Sequence, residues 1–511
     1  MSILFPFIFA GMMFKIEVHK EGQKSILKTD GLDYLQTVLR DAGYDIYSPC
    51  GGNGTCGKCK VWIQGEGSVS SCVFPVTRDL EVIIPDQKEA QILVDQHKYT
   101  VKLPVQPGHQ VKLSNNPHGV AIDIGTTSLV FYLVDLITGA ILETRAEENP
   151  QANYGADVIS RINFTAQNEN GLKELQKLLI QAINSHLDHF IELIGLKHQD
   201  IVKISIAGNT TMLHLLLGVD PLSLALAPFT PHFIERQEVN ACDLKLNCHP
   251  EAYIETLPGI SAYVGADIVA GLASIAPQKE FSTYLFMDIG TNGELALVTP
   301  DRILCCATAA GPAFEGARIT HGMTAVEGAI SSYGEKGYTV IGDIPPTGLC
   351  GSGLIDVIAF MLEHKLLNPD GLIEKDFIIS SKENSGIKED IVINQQDVRE
   401  VQLAKSAIVA GVNILLNKAG LTHGQLDAVF LAGGFGNHIN SQSATIIGLL
   451  NPLFRDKIIS LGNTSGTGAL LSLKSTGFKD IMTQITSIAE HLELSEEEDF
   501  AMEFAMNMMF D

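Results

Sequence analysis

Four cysteines near the start of the chain have the spacing needed to hold an iron–sulfur cluster. Three follow a C-x5-C-x2-C pattern and the fourth lies 13 residues further on: Cys50, Cys56, Cys59 and Cys72. Such a cluster requires four thiolates around a compact core, with backbone close enough for N–H groups to point at the sulfurs. Glycine permits that approach, and positions 51, 52, 54 and 57 are glycines. The pattern predicts that these four cysteines are the metal ligands.

Other interpretations of this cysteine loop have less support. A structural zinc site usually uses two paired C-x2-C or histidine knuckles, whereas this segment has one pair, Cys56 and Cys59. The loop also contains G-x-G-x-x-G, and a Walker A motif that lacks only its final Ser or Thr, where Cys59 stands. Both nucleotide motifs require a helix to follow, but residues 61–63 predict a strand. We therefore favour iron–sulfur and keep zinc as the lesser alternative.

Two Asp-Ile-Gly-Thr turns form a second group of candidate residues. Asp123 and Asp288, which lie 165 residues apart, each begin such a turn between two apolar strands. A tight glycine turn presents successive N–H groups to an anion, and an aspartate before it can hold Mg2+ through water. If the two turns face each other, they would bind a triphosphate from both sides. We expect Asp123 and Asp288 to position Mg2+, and the phosphates to bind at Gly125, Thr126, Thr127, Gly290, Thr291 and Asn292.

A later glycine-rich turn at residues 432–436 predicts the position of an adenosine. The turn follows an apolar strand and leads into a helical pattern, so an adenosine can lie against backbone without side chains at Gly433, Gly434 and Gly436. Either Glu294 or Glu315 could orient the attacking water, and Glu294 joins Asp123 and Asp288 as a catalytic candidate. Segments 207–212 and 347–353 either line the same cleft or only pack closely, and the sequence leaves both open.

The hydrophobic pattern predicts a multidomain chain. Residues 13–85 predict a small α+β domain, with strands at 14–18, 25–27, 61–63 and 80–84 and a helix at 32–39. Residues 86–119 are polar, are interrupted by Pro104, Pro107 and Pro117, and predict a linker.

Apolar strands, glycine turns and amphipathic helices alternate from residue 120 to residue 511, which predicts a duplicated α/β domain. Its first half covers about 120–280 and its second about 281–490. In the C-terminal segment 491–511, Phe500 and Phe504 lie four residues apart, so we expect a closing helix docked on its own domain.

Composition and charge exclude several classes of protein. The 511 residues are 45% hydrophobic and 18% charged, which is rich enough to bury large cores. A net charge of −24 repels phosphate backbones and argues against nucleic acid as a partner. No apolar run is long enough to span a bilayer. The clustered cysteines point to metal binding in a reducing cytoplasm, and Met12 or Met13 is an alternative to Met1 as the biological start.

These motifs resemble two known families. The cysteine loop and its flanking strands resemble a [2Fe–2S] ferredoxin domain of the β-grasp fold, in the adrenodoxin-like type that has one extra residue in the first gap. The two Asp-Ile-Gly-Thr turns with the later Gly-Gly-Phe-Gly turn resemble the phosphate and adenosine motifs of the ASKHA superfamily. That resemblance implies an actin-like, ribonuclease-H-like ATPase domain.

The order of these two domains resembles the reductive activators of corrinoid enzymes. The shared runs include 121–127, 288–294, 310–316 and 432–438. The resemblance implies an ATP-hydrolysing electron-transfer activator with a [2Fe–2S] cluster, ATP and Mg2+. It would return the Co(II) of a corrinoid (cobalamin) protein in a methyltransferase system to Co(I), using an external low-potential reductant. The resemblance is compatible with a homodimer.

Two alternatives remain open at this point. An ASKHA-type activator of a radical dehydratase holds a four-iron cluster between two subunits, and Cys305 or Cys306 with Cys350 could supply one subunit's ligands. A redox-regulated kinase of a small metabolite would instead use the ferredoxin domain as a switch. An electron-carrier scaffold without enzymatic activity does not explain the duplicated phosphate turns.

Overall fold

The computed structural model describes most of the chain, namely residues 13–20, 23–30, 33–44, 46, 48, 52, 54, 59–84, 99–275, 281–290, 292–311, 313–433 and 439–510. The described residues fall into two compact units. The first unit lies within Met1–Glu89 and Pro150–Gly171, and the second within Ala90–Asn149 and Leu172–Asp511. None of the described helices is long and apolar enough to cross a membrane.

The N-terminal part of the first unit is a five-stranded sheet with one helix. Its strands run in the order β2-β1-β5-β3-β4 and are β1 (Phe14–Lys20), β2 (Gln23–Thr29), β3 (Lys60–Ile63), β4 (Gly67–Ser70) and β5 (Leu80–Ile83). The β1–β5 pair is parallel and the other pairs are antiparallel. Alternate apolar side chains of these strands pack on the helix α1 (Leu35–Asp41). The four predicted strands are present.

Helix α1 begins three residues later than predicted. Tyr34 is in extended backbone and forms an antiparallel bridge with Pro75, so helical hydrogen bonding can start only after it. The rest of the first unit contains α2 (Val158–Gln167), which is capped by Asp157 through a hydrogen bond from the backbone N–H of Ser160. Such a cap satisfies one of the free N–H groups at the start of a helix.

A six-stranded mixed sheet forms the first lobe of the second unit. The strand order is β10-β11-β9-β6-β7-β8, with β6 (His118–Ile124), β7 (Ser128–Asp135), β8 (Ile141–Glu148), β9 (Ile201–Gly208), β10 (Gln237–Asn240) and β11 (Tyr253–Thr256). The helices that accompany it in the chain are α3 (Gly171–Ile194), α4 (Thr210–Leu217), α5 (Ala241–Leu244) and α6 (Ala266–Ile275). Strands β6 and β9 are buried along almost their whole length, as expected where helices cover a sheet.

The second lobe contains a sheet of the same design. Its order is β21-β20-β12-β13-β14-β22, with β12 (Tyr284–Ile289), β13 (Gly293–Val298), β14 (Ile303–Thr308), β20 (Ala428–Ala432), β21 (Ile458–Gly462) and β22 (Ala489–His491). In both lobes a central strand pairs parallel with a later strand and antiparallel with the next, as β6 does with β9 and β7, and β12 with β20 and β13. The repeat predicted from the sequence is therefore present in the sheet topology.

The described residues of the second unit also form two small sheets and six further helices. The sheets are formed by β15 (Ala329–Gly334), β16 (Gly337–Val340) and β17 (Gly348–Leu349), and by β18 (Phe377–Ser380) and β19 (Ile391–Ile393). The helices are α7 (Gly351–Glu363), α8 (Gln395–Ala419), α9 (Ser441–Ile446), α10 (Thr464–Lys474), α11 (Phe478–Ile488) and α12 (Phe500–Met506).

The C-terminal helix α12 docks on its own domain, as predicted. Three side chains of α8 donate hydrogen bonds to carbonyls of the last residues: Gln402 to Met508 at 2.8 Å, Ser406 to Phe504, and Lys405 to Met509. These bonds and the packing of Phe500 and Phe510 on the lobe core fix the end of the chain to α8.

A buried lysine ties the first lobe to the end of α10. The Nζ of Lys203, on β9, donates to the carbonyl oxygens of Ser472 (2.8 Å), Leu473 (3.0 Å) and Pro107 (3.3 Å). The first two belong to the last turn of α10, where carbonyls have no partner within the helix. Burial lowers the pKa of Lys203 to about 8, so this charge is held in place at a cost in desolvation.

We predict that Lys203→Met lowers the free energy of unfolding by about 2 kcal/mol, because it leaves two buried helix carbonyls without donors. Chemical denaturation measures the change. Lys112→Met is the control, since Lys112 is exposed and should change stability by less than about 0.5 kcal/mol. Equal stability of the two variants would contradict the role given to Lys203.

Candidate functional site

The two Asp-Ile-Gly turns occupy equivalent places in the two lobes. Asp123 lies near the end of β6 and Asp288 near the end of β12. Each following glycine closes a tight turn through its own N–H, from Gly125 to the carbonyl of Ser128 and from Gly290 to that of Asn292, both at 2.9 Å. A side chain at Gly125 would lie 2.8 Å from the Ser128 carbonyl, so the first turn requires glycine.

Asp123 is anchored by the start of α10, a helix that packs on β6, β9 and α6 of the first lobe. Its carboxylate accepts hydrogen bonds from Ser465 Oγ (2.6 Å) and Asn463 Nδ2 (2.8 Å), at the start of α10. Burial raises the pKa of Asp123, and these two donors oppose the rise. The first turn is thereby joined to a helix more than three hundred residues away in the chain, which no local sequence pattern indicated.

Four acidic side chains share one electrostatic environment, and we call them the carboxylate cluster: Asp123, Asp267, Asp288 and Glu294. Glu294 is buried and the three aspartates are partly exposed. Burial, followed by the charges of Asp267, Asp123 and Glu315, raises the pKa of Asp288 to about 8. Burial raises the pKa of Asp267 to about 7. A hydrogen bond from the N–H of Ile268 opposes this rise, and the charge of Asp123 adds to it. Burial, and then the charges of Asp267 and Asp288, raise the pKa of Glu294, and a hydrogen bond from Asn292 opposes the rise.

The chemistry of this donor set suits a divalent cation held through water, because among the described residues no three of these carboxylates bring ligand atoms within 4.8 Å of one another. Carboxylate oxygens are the ligands preferred by Mg2+, and like charges buried together are unfavourable unless a cation or protons neutralise them. Asp123 already accepts two hydrogen bonds, so it would act through water or through its charge.

Asp267 was missed by the sequence reasoning. It lies in the first turn of α6 and is the only charged residue of that helix. A side chain at the preceding Gly265 would lie 2.6 Å from Asn209 Cα and 2.9 Å from Asp267 Oδ1. The signal that could have found it is a Gly-Ala-Asp sequence opening an otherwise apolar helix, a combination that places one carboxylate at a crowded helix start.

Glu315 connects the two lobes. Its Oε2 accepts a 2.9 Å hydrogen bond from Thr127 Oγ1 of the first turn, and its Oε1 lies 3.6 Å from where a Cβ on Gly290 would be. Glu315 therefore lies between the two turns. Glu294 has a different position, because it projects from β13 and is buried near Asp288, Asp267 and Cys306.

The two segments left open by the sequence have different positions. Asn209, in segment 207–212, donates from Nδ2 to Thr126 Oγ1 at 2.9 Å, so this segment borders the first turn. Segment 347–353 instead packs within its own lobe, where a side chain at Gly348 would lie 2.5 Å from the carbonyl of His321. Packing is the better explanation for its glycines.

Gly433 lies directly against the second turn. Strand β20 pairs with β12 so that Ala432 is opposite Asp288, and Gly433 follows with φ +82°. A Cβ on Gly433 would lie 2.5 Å from Asp288 Oδ1. The other predicted adenosine residues, Gly434 and Gly436, are outside the described residues, as is Thr291.

Two of the four predicted cluster ligands are described. Cys59 and Cys72 are 1% and 6% exposed, in the core of the N-terminal sheet. Ser71, beside Cys72, donates from both its N–H (2.9 Å) and its Oγ (2.8 Å) to the carbonyl of Cys59, which ties the two segments together. Cys50 and Cys56 lie outside the described residues.

Two glycines of the cysteine loop lie close to Cys72 and its neighbour Val73. A Cβ on Gly52, which has φ +86°, would lie 3.9 Å from Cys72 Cβ, and one on Gly54, with φ +74°, would lie 2.6 Å from Val73 Cγ1. Both glycines are in the left-handed region that other residues rarely adopt. Two buried cysteines with a loop of this kind beside them fit the requirements of an iron–sulfur cluster.

The remaining cysteines of the second lobe do not resemble a shared cluster site. Cys305, Cys306 and Cys350 are buried, and burial raises the pKa of Cys305 to about 12. Ligands of a cluster held between two subunits must reach the surface, so their burial disfavours the radical-dehydratase alternative.

Comparison with known proteins gives consistent similarities over most of the chain. Residues 118–279 match the family model of the RACo middle region, and residues 282–511 match that of the C-terminal domain of RACo, the ASKHA domain. The corrinoid activation enzyme RamQ of Eubacterium limosum is 35% identical over 419 residues, which cover 77% of this chain and 70% of RamQ.

Two further relatives extend this similarity. The Co(II) methylated amine-specific corrinoid protein reductase of Methanosarcina barkeri is 26% identical over 424 residues, or 75% of each chain. A solved structure of a reductive activator for a corrinoid, iron–sulfur protein is similar over 97% of this chain and 98% of its own, with 30% identity and a TM-score of 0.71.

We predict that Gly433→Ala weakens ATP binding about tenfold or more, because the added methyl group must displace the Asp288 carboxylate and overpacking costs about 1–3 kcal/mol. Isothermal titration with a non-hydrolysable ATP analogue measures the change. Gly420→Ala is the matched control, since Gly420 has φ +69° but open space around its Cα. If both variants bind the analogue equally, Gly433 does not border the nucleotide site.

Proposed function

This chain belongs to the RACo family of corrinoid reductive activators, and we propose from this membership that it activates a corrinoid protein by ATP-dependent reduction of Co(II) to Co(I). The partner is the corrinoid protein of a methyltransferase system, and an external low-potential reductant supplies the electrons. The observation that carries the ATP-dependent part is the convergence of Asp123 and Asp288, from two topologically equivalent turns, in one carboxylate cluster.

We assign the electron-transfer role to residues 13–85, as a ferredoxin-like domain. Cys50, Cys56, Cys59 and Cys72 would hold a [2Fe–2S] cluster, which supplies one electron at a time when bound. The burial of Cys59 and Cys72 supports this assignment, because a core position excludes water from the thiolates. Residues 86–119 would connect this domain to the ATPase part, 120–511, and the described end of the segment is bound to that part by the N–H of Val101, which donates to the carbonyl of Ser274 at 2.7 Å.

We assign ATP binding to the two turns and the glycine turn after β20. The N–H groups and hydroxyls at Gly125, Thr126, Thr127, Gly290, Thr291 and Asn292 would bind the phosphates, and Gly433, Gly434 and Gly436 would border the adenosine. Asp267, Asp288 and Glu294 would hold Mg2+ largely through its bound water, with Asp123 acting through its charge. Among the two carboxylates that could orient water, Glu315 is better placed, since it lies between the turns.

ATP is needed in this scheme because the electron transfer is uphill. Plant-type clusters have potentials near roughly −400 mV. The Co(II)/Co(I) couple of the corrinoid in the partner protein would lie lower. A gap of about 120 mV costs about 2.7 kcal/mol for one electron, which is within the roughly 1–3 kcal/mol typical of coupling between two sites. A nucleotide held by turns from both lobes would favour one arrangement of the lobes. That arrangement would in turn favour the Co(I) state of the corrinoid protein.

The test is anaerobic reduction of a candidate corrinoid protein by the reduced activator, followed by its visible spectrum. We expect more Co(I) with ATP than without it. Equal extents would contradict ATP coupling, and ADP release that depends on a small metabolite and on no electron acceptor would favour the kinase alternative.

We predict that Asp123→Ala abolishes ATP hydrolysis and the ATP-dependent formation of Co(I), because it removes a charge from the carboxylate cluster and the anchor to α10. The visible spectrum of the iron–sulfur domain should be unchanged. Asp243→Ala, at an exposed position of the first lobe, should retain full activity. An active Asp123→Ala protein would refute the phosphate-site assignment.

We predict two iron atoms per chain in the anaerobically reconstituted protein, and loss of the cluster spectrum in Cys72→Ala. Iron analysis and absorption spectroscopy measure both. The ATP affinity of Cys72→Ala should equal that of the parent, because the nucleotide residues are unchanged. More than two iron atoms per chain would indicate a second cluster, as in the dehydratase-activator alternative.

A further inference from the structure

Helix α1 is fastened to the segment that follows Cys72. The N–H of Leu35 donates to the carbonyl of Phe74 at 2.8 Å, and the N–H of Val76 donates to the carbonyl of Asp33 at 3.4 Å. Together with the bridge between Tyr34 and Pro75, these bonds fix the first turn of α1 next to Cys72. The side chains of that turn are therefore positioned by backbone hydrogen bonds.

Gln36, the second residue of α1, has a buried amide without a partner. The residue is 3% exposed, and its Nε2 has no hydrogen-bond acceptor among the described residues. Its Oε1 lies 3.2 Å from where a Cβ on Gly52 would be, and that same point is 3.9 Å from Cys72 Cβ. The amide therefore lies at the wall of the cysteine loop.

Ser48 is a second donor of this kind. It is 0% exposed, and its Oγ has no partner in the described part of the chain. It precedes Cys50 by two residues. Leaving a buried donor unsatisfied costs about 1–3 kcal/mol, so Gln36 at the wall of the cysteine loop, and Ser48 next to that loop in the sequence, call for an acceptor that the described residues do not supply.

We propose that Gln36 Nε2 and Ser48 Oγ donate hydrogen bonds to the sulfur atoms of the bound iron–sulfur cluster, and that they raise its reduction potential. This inference rests on the cluster assigned under the proposed function. Both residues are positioning residues that act through the cluster and hold no metal.

The direction of the effect follows from charge. One-electron reduction adds a negative charge to the cluster, and donors aimed at the sulfurs stabilise the more negative state more strongly. Removing a donor therefore favours the oxidised form. The donors also oppose the transfer of an electron to a couple of lower potential, which increases the contribution required from ATP.

The test compares Gln36→Met with the parent by spectroelectrochemical titration of the full-length, cluster-loaded protein. Methionine has a similar shape but lacks the N–H donor. We expect the ratio of reduced to oxidised cluster at a fixed potential to fall about tenfold, a decrease of about 59 mV in midpoint potential. In deuterated water, pulsed EPR of the reduced parent should show an exchangeable deuteron that weakens in Gln36→Met.

Thr37→Val is the control, since Thr37 is exposed on the same helix turn and its replacement should leave the midpoint potential unchanged. Ser48→Ala removes a single oxygen atom, should lower the potential in the same direction, and replaces Gln36→Met if that variant does not assemble the cluster. Unchanged potentials in both variants would overturn this inference and leave the proposed function intact. A parent protein that binds no cluster would instead overturn the proposed function.

Discussion

The mutual repulsion of four clustered carboxylates is the constraint on which the part of the chain assigned to ATP binding depends. Asp123, Asp267, Asp288 and Glu294 come from three strands and a helix start. Burial raises the pKa of each, and neighbouring carboxylates add to the rise in Asp267, Asp288 and Glu294. Such a group is unfavourable unless protons or a cation neutralise it. The free energy of this arrangement is therefore available to any ligand that brings a divalent cation, as a nucleotide does.

The duplicated sheets explain how the carboxylates come together. Each lobe presents the end of a central strand followed by a glycine turn. Glu315 lies between the two turns, and the start of α10 holds Asp123 of the first turn. These links connect residues that lie far apart in the chain. A change in cation or phosphate occupancy would alter all of them together, which is the property required of a site that couples hydrolysis to movement.

The N-terminal domain presents the opposite electrostatic problem. There Gln36 and Ser48 are buried donors without partners among the described residues, and they lie beside cysteines whose thiolates would carry negative charge. The carboxylate cluster suits a cation, whereas these two donors suit an anionic cluster.

The sequence by itself determined the motifs whose chemistry is local: the cysteine spacing, the two Asp-Ile-Gly-Thr turns, the strands that flank them and the docked C-terminal helix. Hydrophobic periodicity and turn residues depend on near neighbours, so a single sequence contains them. Only the tertiary structure identified Asp267, separated the position of Glu315 from that of Glu294, and assigned segment 347–353 to packing. Those results depend on pairs such as Thr127 and Glu315, which are 188 residues apart, and contacts at that separation arise from how sheets and helices pack.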